Sequence, residues 1–194
     1  MDSFIQNNKV IRSIFHNLHE LRAKNAILNK IDPFLQKGDK ILDIGTGTGH
    51  VCKRLLEAGF DVSALDVHDL SFFDDIKPIV YDGNIIPFDD DTFDVALILT
   101  VLHHTPNPKK IIAEAKRVSN KIVIIEDVYR NFFGKYLTFF FDSVGNFELF
   151  HHPHSNKTDE QWRKVFKSLQ LKLVASAQSF SIPVFRHATY VLQK

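Results

Sequence analysis

The chain has 194 residues, 44% hydrophobic and 24% charged, with a formal net charge of +1. That size and balance suit one domain with a substantial core, and exclude a broad field for nucleic acid or an anionic membrane, although a local basic patch can hide in a neutral total. A single cysteine, Cys52, excludes an intrachain disulfide, so a reducing cytoplasmic setting is expected.

Residues 3–30 carry Ile11, Ile14, Phe15, Leu18, Leu21, Ile27 and Leu28 at helical spacing, predicting one or two amphipathic helices closed by Pro33 and Gly38. The N-terminus has neither the basic segment nor the apolar run of a signal peptide. Strands are then expected at 40–44, 61–67, 79–81, 93–100 and 121–127, with helices at 51–58 and 108–119 between them. Thr158 and Gln161 form a capping box that opens a helix over 158–169. Runs at 171–177 and 189–192 read as a closing hairpin around Pro183. The apolar stretches 95–102 and 132–141 fall far short of the roughly 20 residues that span a bilayer, so no transmembrane segment is expected. Strands apolar on both faces, alternating with helices, predict a doubly wound, Rossmann-like α/β domain. Its sheet is mostly parallel with an antiparallel C-terminal hairpin strand, and helices cover both faces. The chain reads as one domain, 1–194: N-terminal helices to 37, a ligand-binding half at 38–127, an aromatic-rich segment at 128–157, and a closing helix with two strands at 158–194.

The sharpest feature is Asp43-Ile44-Gly45-Thr46-Gly47-Thr48-Gly49, which follows a strand and opens a helix. Glycines let the backbone turn tightly and approach a ligand, and the helix start offers free N–H groups. A dinucleotide loop places its third glycine where this chain has His50, and the Gly-Lys-Ser/Thr of a phosphate loop is absent. Asp43 is badly placed for a pyrophosphate and well placed for a ligand with a cationic amino-acid end.

Residues 40–49 resemble the first motif of class I S-adenosylmethionine-dependent methyltransferases. Further matches follow in order. Asp66 ends the second strand, Asp82-Gly83-Asn84 follows the third, and Ile86-Pro87-Phe88 leads to Phe93-Asp94 and then to Leu102-His103-His104. The resemblance is to the broad group that includes ubiquinone and menaquinone C-methyltransferases. It implies S-adenosylmethionine as cofactor. Asp43, Gly45, Thr46, Gly47 and Gly49 would lie along the methionine end, and Asp66 and Val67 at the ribose. Asp82, Gly83 and Asn84 would lie at the adenine, with Leu99 and Thr100 at the end of strand four. The group's Lys-Pro-Gly-Gly turn before strand five is replaced by Ser119-Asn120-Lys121, and the resemblance fades after Asp127.

Methyl transfer from a sulfonium is an in-line displacement that needs alignment and, for a protic acceptor, a base. His103 and His104 are the candidates, with loop histidines closing a turn as the alternative. The Asn/Asp-Pro-Pro-aromatic motif of base N-methylation is absent at 99–102, which argues against adenine or cytosine N-methylation and agrees with the near-neutral charge in pointing away from nucleic acid. Nine aromatic residues crowd 129–150, and Tyr129, Phe133, Tyr136 and Phe140 follow helical steps. This segment reads as a packed helix or an interface, or as a lid over an apolar or aromatic small molecule held by Tyr129, Tyr136, Phe140 and His151. The His151, His152 and His154 cluster lacks carboxylate or cysteine partners at ligand spacing, so no metal is assigned. A monomer or homodimer is expected. The alternatives are a non-catalytic partner subunit that uses the aromatic segment as its interface, and a nicotinamide-dependent dehydrogenase.

Overall fold

The computed structural model describes residues 9–26, 30–129, 157–182 and 185–194. The aromatic residues Tyr136 and Phe140, the His151, His152 and His154 cluster, and Pro183 lie outside these. Helix α1 spans Lys9–Ala26, followed by strand β1 at Lys40–Ile44, α2 at His50–Glu57, β2 at Asp61–Asp66 and β3 at Ile79–Val80. Strand β4 spans Phe93–Leu99, α3 Pro108–Val118, β5 Ser119–Val128, α4 Asp159–Ser168, β6 Lys172–Ile182 and β7 Phe185–Gln193. They build one seven-stranded sheet in the order β3-β2-β1-β4-β5-β7-β6. The pairings β1–β2, β1–β4, β2–β3 and β4–β5 are parallel. Strand β7 runs antiparallel to both β5 and β6. The expected fold is the observed one.

Alternate residues of the central strands feed two cores, as the two-residue period of a strand requires. Leu42, Ile44, Ala96, Ile98, Ile122 and Ile124 face α3 and α4, meeting Ile112, Ala115, Trp162 and Phe166. Ile41, Val95, Leu97, Val123 and Ile125 face the other way, onto Leu55 of α2 and onto Ile31. Burial on both faces is why these strands read as continuous apolar runs. Asn107 caps α3, its side chain accepting from the Lys110 amide, and Pro108 takes the first turn where its missing N–H costs nothing. The capping box at Thr158 and Gln161 is formed.

Three boundaries moved. Strand β5 begins at Ser119, directly after α3, because Ser119 closes the helix by donating to the Ala115 carbonyl at 2.7 Å and enters the sheet without a loop. Strands β6 and β7 run longer than expected. Ser176 and Gln178 lie on the exposed face of the edge strand β6, where no apolar alternation is needed to form the ladder.

Helix α1 holds a surprise. An amphipathic surface helix ordinarily buries its apolar stripe. Here His16, Glu20 and Ala23 turn toward α2, while Ile14, Leu18 and Leu21 are 54%, 56% and 58% exposed. No helix among the described residues is long and apolar enough to cross a membrane.

Candidate functional site

Parallel strands bring their carboxyl ends to one edge, and that edge carries the polar residues. After Ile44 the chain turns, and the Gly45 and Thr46 amides both donate to the Leu65 carbonyl of β2. Gly45 has φ +74°, and a Cβ there would lie 2.4 Å from Val101 Cγ2, so the loop is pressed against the segment after β4. Gly47, at φ +53°, differs: the nearest atom to an added Cβ is the Gly45 carbonyl at 4.0 Å. The first glycine serves close packing within the protein. The second borders open space beside the loop.

Two acids frame that space. Asp43 is 2% exposed and accepts from Thr46 Oγ1 at 2.7 Å. Burial, opposed by the Thr46 bond and assisted by the Asp66 charge, pushes its carboxyl up to about 6. Asp66 Oδ2 accepts from the Gly47 amide at 2.8 Å, and its Oδ1 from the Val67 and His68 amides at 2.7 and 3.2 Å. Backbone amides thus aim this carboxylate before any ligand arrives. Val67, beside it, is 43% exposed. Asp82 lies one strand further along and is exposed. Bonds from the Asn84 amide and side chain hold its carboxyl below the usual carboxylate range. Gly83, at φ +74°, makes that turn, and Lys110 donates to Asn84 Oδ1. Leu99 ends β4 half-buried, and Thr100 follows at φ +57°, a left-handed conformation rare for a branched residue.

The β4–β5 side joins the candidate His103 to residues that the sequence reading missed. His103 is 2% exposed, and its Nδ1 donates to Glu126 Oε2 at 2.7 Å. Glu126 is fully buried, and its Oε1 accepts from the Leu102 amide at 2.6 Å. A carboxylate on Nδ1 puts the ring proton there. The His104 ring lies against that of His103, tilted by 44° with ring centroids 4.0 Å apart. On the opposite face of the sheet, His187 of β7 registers against Asp127, with Nδ1 3.3 Å from Oδ1. Burial, then the charges of Lys30 and Arg22, push His187 down to about 4, so it is neutral at pH 7. The clue to Glu126 and Asp127 was two acids ending an otherwise apolar, buried strand. His187 fell outside the strand drawn from sequence.

His50 also does more than interrupt a glycine pattern. It is the first residue of α2, 2% exposed, with Nδ1 2.9 Å from Thr48 Oγ1 and Nε2 3.0 Å from His16 Nδ1. It links the glycine loop to α1, and burial keeps it neutral by pushing it down to about 4. Tyr129 is the last described residue before the aromatic segment and is half-buried. Among the described residues no group of histidines, cysteines and acids is placed to hold a metal.

A methyltransferase-domain family model matches residues 9–182, and the chain belongs to that family, the S-adenosylmethionine-dependent methyltransferases of class I. An uncharacterised protein of Methanocaldococcus jannaschii is 42% identical over 87 residues, covering 43% of this chain and 42% of that protein. Demethylmenaquinone methyltransferase of Renibacterium salmoninarum is 35% identical over 99 residues, covering 46% and 41%. Less than half of either relative is matched. The solved structure of a SAM-dependent methyltransferase from Methanosarcina mazei superposes with a TM-score of 0.65 at 19% identity, over 84% of this chain and 96% of that one, and so shares the fold. Family membership replaces the dehydrogenase alternative.

Proposed function

We propose that the chain transfers the methyl group of S-adenosylmethionine to a small, apolar or aromatic acceptor bearing a removable proton, with His103 as base. The observation that carries this is the pairing of the open space at Gly47 with two differently prepared acids, Asp43 and Asp66. The donor set suits the cofactor. Asp43 is a buried carboxyl that a cationic ammonium would draw into its ionised form. Asp66 offers a pre-aimed carboxylate whose Oδ2 keeps one acceptor site for a ribose hydroxyl, and Asp82 with Asn84 offers exposed acceptors for an adenine amino group. When bound, the cofactor supplies an electrophilic methyl on a sulfonium.

The chain's own residues supply alignment and proton management. The backbone from Gly45 to Gly49 fixes the donor side. His103 takes the acceptor's proton at Nε2, and the positive ring that results faces Glu126, a buried carboxylate already bonded to it at 2.7 Å. Ionised partners strengthen such a bond. The matched relative named for demethylmenaquinone is in line with an apolar acceptor.

Calorimetry with S-adenosylhomocysteine tests the donor half. Wild type should bind, and Asp66→Ala should bind at least about tenfold more weakly. Folded wild type that does not bind overturns the reading. For the acceptor half, His103→Gln should lower methyl transfer by about 100-fold at unchanged S-adenosylhomocysteine affinity.

A further inference from the structure

Helix α1 presents the wrong face to the protein. His16 bonds His50, Glu20 pairs with Arg54, and Ala23 is 3% exposed, so the inward side is set by polar contacts. That leaves Ile14, Leu18 and Leu21 outward, and their spacing of four and three residues draws a single stripe along the helix. The charges complete the pattern. By helical geometry Arg22 lies about 100° to one side of Leu21 and Lys24 about 60° to the other. Both are exposed. Glu20, the only acid of the helix, is turned inward and met by Arg54. Between residues 13 and 25 the outward half therefore carries an apolar centre, two flanking cations and no acid, on a protein whose net charge is only +1.

We infer that α1 is an interfacial helix that seats the protein on an anionic lipid surface. An apolar stripe flanked by Lys and Arg suits the headgroup boundary: the stripe enters the acyl edge while the cations extend to the phosphates. The same arrangement disfavours a second copy of the chain. Three side chains provide far less than the roughly 800 Å² per partner of a stable interface. The seat is small, so binding is weak and reversible, and it depends on both the stripe and the charge. The inference stands on α1 alone and does not depend on methyl transfer.

The test is co-sedimentation of the full chain with phosphatidylcholine vesicles, with and without phosphatidylglycerol. Wild type should bind the anionic vesicles and release in high salt. A triple Ile14→Ser, Leu18→Ser, Leu21→Ser variant should lose binding while keeping its melting temperature and S-adenosylhomocysteine affinity, because all three positions are exposed. Arg22→Gln with Lys24→Gln should weaken binding about 25-fold, roughly fivefold per cation. Wild type that ignores both vesicles overturns the inference, as does equal binding by the triple variant. A wild-type dimer that the triple variant dissociates assigns the stripe to a second copy. A triple variant that fails to fold or melts many degrees lower assigns the stripe to packing within the chain. Either result also overturns the inference.

Discussion

At the β1–β2 end of the sheet's carboxyl edge, acids are held chiefly by groups close to them in the chain. At the β4–β5–β7 end they are held by groups from distant parts of the chain. Asp66 takes three amides, two of them from the residues that follow it. Asp82 takes those of Asn84 and Ile85. Glu126, by contrast, takes its bonds from Leu102 and His103, more than 20 residues away, inside a fully buried space. Local bonds survive small shifts in packing, and long-range buried ones do not. The first end is therefore a robust platform for a ligand shared across a family. The second is a place where single changes are expensive and where the proposed base lies.

The largest effect expected from that contrast is Glu126→Ala. It strands two buried donors and should cost about 4 kcal/mol in a urea titration. Glu126→Gln, which keeps one acceptor, should cost less than half of that. Equal, small losses for both would show that the dyad is not buried as described. Next comes Gly45→Ala. A left-handed φ and a contact of 2.4 Å with Val101 should together cost about 3 kcal/mol. Adding Val101→Ala should recover part of that. Gly47→Ala, with open space around it, should cost only the strain of a left-handed alanine, about 1–2 kcal/mol, and abolish S-adenosylhomocysteine binding.

Asp43 sharpens the comparison through pH. Its folded-state pKa, near 6, lies above the ordinary carboxylate value, so the native protein holds that proton more tightly than the unfolded chain. The stability this contributes is complete below about pH 4 and is lost as pH rises through 6, an effect of at most about 3 kcal/mol. His19, His50 and His187, each pushed down to about 4, slope the other way, losing stability as pH falls below 6.5. Subtracting an Asp43→Asn stability profile from wild type isolates the carboxyl. A difference that stays flat between pH 4 and 7 removes its assigned burial. The smallest effect is Asp82→Ala, which should leave the melting temperature unchanged and weaken S-adenosylhomocysteine about tenfold, the worth of one charged hydrogen bond.

Much of this architecture was legible in the chain. Apolar strands, capped helices and the glycine loop are local signals, and each of them dictated the element found there. The acids Asp43, Asp66 and Asp82 could be placed because each lies at or just past the end of a strand, which fixes its position on the edge. Glu126, Asp127 and His187 could not be paired in the same way, since their partners are set by strand order and by an antiparallel register that no short stretch encodes. The direction of α1 was illegible for another reason. Periodicity located its apolar stripe correctly, but which side meets the body was decided by His16 and Glu20 finding His50 and Arg54 on α2.

Cys52 is the third residue of α2, 1% exposed, and its thiol is pushed up to about 12 by burial and by the charges of Asp43 and Asp75. Such a thiol barely ionises in water and barely meets a reagent while the helix stays in place. Its rate of modification therefore measures time: how often α2 lifts from the sheet and lets solvent reach the underside of the glycine loop. If the proposed cofactor grips the loop, that interval lengthens, and the one cysteine then keeps a kinetic record of occupancy without any added label.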